Sequence, residues 1–209
     1  MFKQIIKELR RHAPFTAFGG LTGIIIMIVS CNLPAKISYN IFYILHPIHV
    51  LLSALVTASM YKLYINRPKF WNLILIGYFG SVGIATLSDS IIPYLGEALL
   101  GLPNRGIHLG FIEKWWLVNP LAFIGIAVAY FKPTTKFPHS GHVLLSTWAS
   151  LFHIIMATGQ TLSLLSYIVV FLFLFLAVWF PCCLSDIIFP LLFVQPVRNY
   201  DRAGSKRDS

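Results

Sequence analysis

Two histidine pairs have the residue type and spacing needed to bind a metal ion. His46 and His49 begin the stretch His-Pro-Ile-His-Val-Leu-Leu-Ser, and His139 and His142 begin the similar stretch His-Ser-Gly-His-Val-Leu-Leu-Ser, 93 residues later. Residues three apart lie on the same face of a helix, so each pair can direct two imidazoles toward one ion or one proton. A serine continues each face about one turn further on.

An aspartate follows each histidine pair, one apolar stretch later. Asp89 and Asp186 lie in segments that share the pattern L-S-D-x-I-x-P. A carboxylate at membrane depth costs a few kcal/mol to insert and by default indicates function. Imidazole combined with carboxylate suits divalent transition metals, with zinc, iron or manganese expected here. The predicted metal ligands are His46, His49 and Asp89 in the first copy and His139, His142 and Asp186 in the second.

A structural interpretation of the same six residues stays open, in which duplication has preserved two hydrogen-bonded His–Asp clamps. The sequence also leaves open whether the two copies form separate sites or one shared site. The other histidines, His12, His108 and His153, are interpreted as packed side chains. The three cysteines form no C-x-x-C motif and are interpreted as reduced residues lining helices.

The rest of the chain is apolar. Of its 209 residues, 57% are hydrophobic and 11% are charged, and this charged fraction is roughly half that of a soluble domain. Six apolar runs lie at about 14–33, 39–63, 70–95, 115–131, 139–158 and 162–194, each close to or above the roughly 17–25 residues that cross a bilayer. We therefore expect an all-α integral membrane protein with six transmembrane helices.

The net charge of +9 reflects orientation in the membrane and not binding to nucleic acid. Thirteen of the 16 Lys and Arg residues lie in the two termini or in alternate connections between the runs. Such segments face the cytoplasm in membrane proteins. We expect an integral protein of the cell (inner) membrane with both termini cytoplasmic. Its partners would be the lipid bilayer and a metal cation or proton, and the sequence leaves open whether it forms a homodimer.

The repeat divides the chain into two halves of three helices. The first repeat covers 1–96, an extracytoplasmic connecting loop covers 97–113, the second repeat covers 114–197, and a basic cytoplasmic tail covers 198–209. An odd number of spans inverts the second half relative to the first, as in many secondary transporters. Pro93 and Pro190 lie four residues after the aspartates, and proline removes a helical hydrogen bond. We therefore expect a broken or kinked third helix in each repeat.

Three functions are compatible with this pattern. The favoured one is a membrane transporter for a divalent transition-metal cation, with proton coupling as a variant, because inverted repeats suit alternating access. The second is a membrane-embedded metal-dependent enzyme, a hydrolase or oxidase acting on a lipid-like substrate. The third is a non-catalytic membrane scaffold. The chain contains neither the H-x-x-H-H cluster of membrane desaturases nor the H-E-x-x-H motif of zincins. The sequence does not decide whether the protein is an enzyme.

Overall fold

The chain folds into helices, as the sequence predicts. The computed structural model describes residues 2–30, 33–65, 68–158, 162–183 and 188–193, and every regular element within these ranges is helical. The helices are α1 (Phe2–Val29), α2 (Ala35–Tyr64), α3 (Phe70–Leu99), α4 (Gly110–Glu113), α5 (Trp115–Phe131), α6 (Lys136–Thr158), α7 (Leu164–Cys183) and α8 (Phe189–Leu192). The all-α class is therefore confirmed.

Four helical segments are long and apolar enough to cross a membrane. They are Ala35–Tyr64, Phe70–Leu99, Ser140–Thr158 and Leu164–Cys182. The other two predicted runs correspond to apolar helices of shorter length, Ala13–Val29 and Trp115–Phe131. These lengths and compositions are those of a membrane protein.

The helices expose apolar side chains and bury polar ones between them. The membrane-length segment of α7 is the most apolar of the four, and only 28% of it is buried. The corresponding segment of α6 is 78% buried. Leu172 and Phe180 on α7 are exposed, while Ser146 and Ser150 on α6 are fully buried. Lipid solvates apolar side chains as well as a protein interior does, and polar side chains associate between helices. The surface is therefore suited to lipid, and the chemistry is concentrated between the helices.

The centre of the protein is formed by α2 and α6, which pack against each other along their length. Helix α5 packs on α2, and α1 packs on α6. On the outside, α3 contacts α5 and α7 contacts α1. The segment Leu87–Ile91 of α3 also contacts α6, which brings Asp89 to the central pair of helices. Asp89 on α3 therefore lies close to His46 and His49 on α2, and His142 on α6 lies beside His49.

The sequence predicts a broken or kinked helix around Asp89, and helix α3 runs continuously through this residue with irregular turns. Two π-helical segments, Phe79–Gly83 and Leu87–Ile91, widen its turns, and the Ile92 amide donates to the carbonyl of Leu87 five residues earlier. In that register the missing amide of Pro93 leaves the Ser88 carbonyl without a helical partner. The Ser150 hydroxyl donates to that carbonyl at 3.0 Å. A neighbouring helix thus replaces the lost hydrogen bond, as membrane proteins commonly do.

The turn around the second L-S-D-x-I-x-P segment lies outside the described residues. Asp186 lies outside the described residues, and helical structure is described again from Ile188. The expected break around Asp186 therefore stays a prediction. His139 lies within α6, although its side chain lies outside the described part of the chain.

Close contact between α2 and α5 depends on Gly125. A Cβ atom added at Gly125 would overlap the backbone carbonyl oxygen of Leu51, which cannot move aside as a flexible side chain can. Small residues at such crossings allow membrane helices to approach closely. Gly83, also helical, has no atom within 4 Å of an added Cβ.

We expect Gly125→Ala to lower the free energy of unfolding by about 1–3 kcal/mol, because overpacking forces α2 and α5 apart. Gly83→Ala is the matched control, and it should be neutral or stabilising by up to about 1 kcal/mol, since Ala is the better helix former. Thermal unfolding in detergent, followed by circular dichroism, compares the two variants. Equal midpoints would show that the α2–α5 contact does not require glycine.

Candidate metal centre

Helix α2 presents His46 and His49 on the face that packs against α3 and α6. Both side chains are about 1% exposed. The Nδ1 atom of His46 lies 2.9 Å from Oδ2 of Asp89, and the Nδ1 atom of His49 lies 2.7 Å from the same oxygen. The structure thus brings these three predicted residues together. We call His46, His49 and Asp89 the His–Asp cluster.

The second carboxylate oxygen of Asp89 is also fully bonded. Ser88 and Ser146 each donate a hydroxyl hydrogen bond to Oδ1 at 2.7 Å. Asp89 therefore accepts two imidazole N–H groups and two hydroxyl groups, which fills the roughly four acceptor positions of a carboxylate. Ser146 comes from the second half of the sequence and Asp89 from the first. The two halves therefore contribute to one buried network.

These distances indicate how Asp89 acts on the histidines. Separations of 2.7 and 2.9 Å between ring nitrogen and carboxylate oxygen are hydrogen-bond distances. Two ligands bound to one zinc ion at 2.0–2.1 Å would lie about 3.3 Å apart in a tetrahedral site. A carboxylate accepts, so the ring nitrogens donate, and each neutral ring then keeps its lone pair on Nε2. This is the arrangement in which a carboxylate orients histidines that bind a metal through the other nitrogen.

A second group of potential ligands shares His49. One ligand atom each from His49, His142 and Cys182 lie within 4.8 Å of one another, and the three side chains are at most 1% exposed. The rings of His49 and His142 are stacked with centroids 5.6 Å apart. We call His49, His142 and Cys182 the thiol cluster. The residues come from α2, α6 and α7, so three helices converge on it.

Of the six predicted ligands, the structure brings four into this region. His46, His49 and Asp89 form the His–Asp cluster, and His142 lies beside His49. The Asp186 side chain lies outside the described residues, as does that of His139. Cys182 was not predicted as a site residue. Nothing in the repeat indicates it, because the position four residues before Asp89 in the first copy is Ala85.

A second buried imidazole–carboxylate pair lies outside both clusters. Nδ1 of His153 lies 2.6 Å from Oε1 of Glu97, and both side chains are 0% exposed. The other carboxylate oxygen accepts a hydrogen bond from the Gly106 amide at 3.4 Å. Helix α3 extends to Leu99, so the assignment of Glu97 to the connecting loop is wrong. The signal in the sequence is the i+4 spacing of Asp89, Pro93 and Glu97 on one helix face.

Phe42 separates the Glu97–His153 pair from the His–Asp cluster. Its ring stacks on that of His46 with centroids 5.2 Å apart and contacts the ring of His153 edge-on at 5.4 Å. An apolar ring excludes water from both neighbours and restricts the orientation of the imidazoles. The two buried carboxylates are therefore held in separate polar environments.

The connection between α3 and α5 covers the histidines. The Ser90 hydroxyl donates to the backbone carbonyl of His108 at 2.6 Å. Gly110, at the start of α4, approaches His46 so closely that an added Cβ would lie 2.6 Å from Cδ2 and Nε2 of its ring. The imidazole of His108 is 27% exposed and lies 3.3 Å from a carboxylate oxygen of Glu113. This connection is therefore a close-fitting cover whose outer face is polar.

We expect Glu97→Ala to lower the free energy of unfolding by about 1–3 kcal/mol, because it leaves the buried Nδ1 of His153 without its acceptor. Glu113→Ala provides the comparison, since Glu113 is 34% exposed and water can replace it as acceptor for His108 and for the Tyr43 hydroxyl, which donates to it at 2.6 Å. Thermal unfolding of both variants in detergent measures the difference. A smaller decrease in unfolding free energy for Glu97→Ala than for Glu113→Ala would show that the buried Glu97–His153 pair contributes little to stability.

Comparison of the chain with protein-family models, with characterised proteins and with solved structures finds no match. The fold alone does not determine a function, because unrelated functions occur on similar helical architectures. The functional conclusion therefore depends on the chemistry of the buried side chains.

Proposed function

We propose that this protein is a membrane transporter for a divalent transition-metal cation. The observation that carries the proposal is the His–Asp cluster, in which two imidazoles share one fully buried carboxylate between helices of membrane-spanning length. Ionisable groups are costly at this depth and are found where an ion or proton must be held. Neutral imidazoles supported by a carboxylate are typical ligands of transition metals.

The packing of the helices supports the proposed inverted repeat. Helix α5 contacts α2 as α1 contacts α6, and α3 contacts α5 as α7 contacts α1. The pair α2 and α3 is likewise matched by the pair α6 and α7. These are the contacts expected if a pseudo-twofold axis in the membrane plane exchanges α1, α2 and α3 with α5, α6 and α7. Transporters with such repeats bind their substrate at the repeat interface, where His49 and His142 lie side by side.

The hydrogen bonds of the two buried carboxylates, Asp89 and Glu97, favour binding of a metal cation over metal-dependent hydrolysis. A metal-dependent hydrolase needs a group that can accept a proton from the attacking water. Among the described residues, Asp89 already accepts four hydrogen bonds, and Glu97 is bonded to His153 and to the backbone. Neither buried carboxylate therefore offers a vacant position to a reacting water, whereas a site that binds and releases a cation needs no such base.

As a transporter, the protein would have a defined orientation in the membrane and a cation as its substrate. Both termini would face the cytoplasm of the cell (inner) membrane, as the distribution of Lys and Arg predicts. The substrate would be a cation that exchanges between water and the buried imidazoles. The connection that covers His46 would then have to move away for the ion to pass, as in alternating access.

A flux measurement tests this proposal. Purified protein is reconstituted into liposomes that contain a trapped zinc-sensitive dye, and external zinc is then added. We expect zinc entry with the unchanged protein and background entry with His46→Ala/His49→Ala. Gly83→Ala is the control, because a Cβ added there has no atom within 4 Å and Gly83 lies outside both clusters. Retention of zinc by the protein without entry would contradict transport and favour the metal-dependent enzyme.

A further inference from the structure

Cys182 is the residue of the centre that the repeated motif does not explain. It lies near the end of α7, is about 1% exposed, and belongs to the thiol cluster with His49 and His142. The first half of the sequence has no cysteine at the equivalent position. Its presence beside two imidazoles would change the chemistry of the site, because sulfur is a softer ligand than oxygen.

His49 connects the two clusters. Its Nδ1 donates to Asp89 at 2.7 Å, so the lone pair of the neutral ring lies on Nε2, at the opposite edge of the imidazole. Metal-binding histidines commonly donate their other ring nitrogen to a carboxylate, which fixes the tautomer and increases ligand basicity. In this arrangement Asp89 prepares His49 as a ligand and does not itself bind the ion.

The size of the thiol cluster suits a small metal ion. Its three ligand atoms lie within 4.8 Å of one another. In a tetrahedral zinc site, bonds of 2.0–2.3 Å place nitrogen and sulfur ligands about 3.3–3.8 Å apart. An ion at this position would draw the three side chains inward by roughly 1 Å or less.

We infer that His49, His142 and Cys182 form a thiolate-containing coordination site for a zinc-class cation, with Asp89 as the positioning residue for His49. This inference rests on the proposed function and deepens it, because it identifies the class of ion. A ligand set of two imidazoles and one thiolate favours zinc, cobalt or copper over manganese, magnesium and calcium, which prefer oxygen. Of the metals expected from the sequence, manganese therefore suits this site less well than zinc.

Cobalt(II) provides a spectroscopic test, because it replaces zinc and its absorption reports the ligands directly. Cobalt is added to the purified protein, and the near-ultraviolet spectrum is recorded. We expect a thiolate-to-cobalt charge-transfer band in the unchanged protein and in Cys31→Ser, which removes a different thiol. Cys182→Ser should lose the band and bind zinc more weakly, by at least the roughly tenfold loss seen when even an outer partner of a metal ligand is removed.

A second variant separates a lost ligand from a misfolded protein. Cys182→His retains a metal-binding side chain, so we expect cobalt to bind without the charge-transfer band. Cobalt bound to the unchanged protein with no such band, or a band that persists in Cys182→Ser, would overturn the thiolate site and leave the proposed transport intact. Failure of the unchanged protein to bind either cobalt or zinc would overturn the proposed function itself.

Discussion

Replacement of His49 by alanine is expected to abolish high-affinity zinc binding. His49 belongs to both ligand groups, since its Nδ1 bonds Asp89 and the residue also lies with His142 and Cys182. Its loss removes one ligand and leaves the buried carboxylate with one donor fewer. The remaining residues of the thiol cluster would then offer only two ligands, whereas zinc sites in proteins normally use at least three protein side chains.

Zinc affinity of His49→Ala can be measured by competition with a zinc-sensitive dye in detergent. His108→Ala is the matched control, because it removes an imidazole that bonds Glu113 and belongs to neither cluster. We expect unchanged affinity for His108→Ala and no measurable competition by His49→Ala. Equal zinc affinity in the two variants would remove His49 from the site.

The second large effect is expected for Asp89→Asn, which should weaken zinc binding by about 10–100-fold, the usual consequence of losing the carboxylate that orients a metal-binding histidine. An amide has one acceptor oxygen, and its NH2 group donates two hydrogen bonds. It cannot accept the Nδ1–H groups of His46 and His49 while also accepting the hydroxyls of Ser88 and Ser146. At least one donor would therefore face another donor, and the histidines would lose their fixed orientation.

A control for Asp89→Asn must alter the same buried layer without changing the carboxylate. Ser150→Ala is suitable, because the Ser150 hydroxyl bonds the backbone carbonyls of Ser88 and Ser146 and not Asp89. It should lower stability by about 1 kcal/mol through the lost hydrogen bonds and leave zinc affinity nearly unchanged. A decrease in affinity of the same size in both variants would show that Asp89 acts through general packing and not on the histidines.

The meeting of His46 and His49 with Asp89 could be predicted from the sequence, because their repetition selects them and helical spacing aligns the histidines. The sequence predicts a broken or kinked α3, and the structure shows a continuous helix with irregular turns around Asp89. Proline does remove a helical hydrogen bond, but two π-helical segments and the hydroxyl of Ser150 accommodate that loss. The sequence around Pro93 does not predict the hydrogen bond from Ser150, because Ser150 lies on another helix.

Contacts between the two halves could not be predicted either, because they depend on how separate helices pack. Whether the copies form one site or two depends on how deep each helix lies, and helical periodicity does not specify depth. Among the described residues the two halves of the sequence meet, since Ser146 bonds Asp89 and His142 stacks on His49. Cys182 and the Glu97–His153 pair became apparent only with this packing, because each joins helices far apart in sequence.

The metal content of the purified protein shows whether these buried side chains hold a transition-metal cation. The protein is incubated with zinc, washed free of unbound ions and analysed by mass spectrometry for metal per chain. We expect a single tightly held zinc ion in the unchanged protein and none in His49→Ala. Zinc absent from both preparations, or present equally in both, would contradict it.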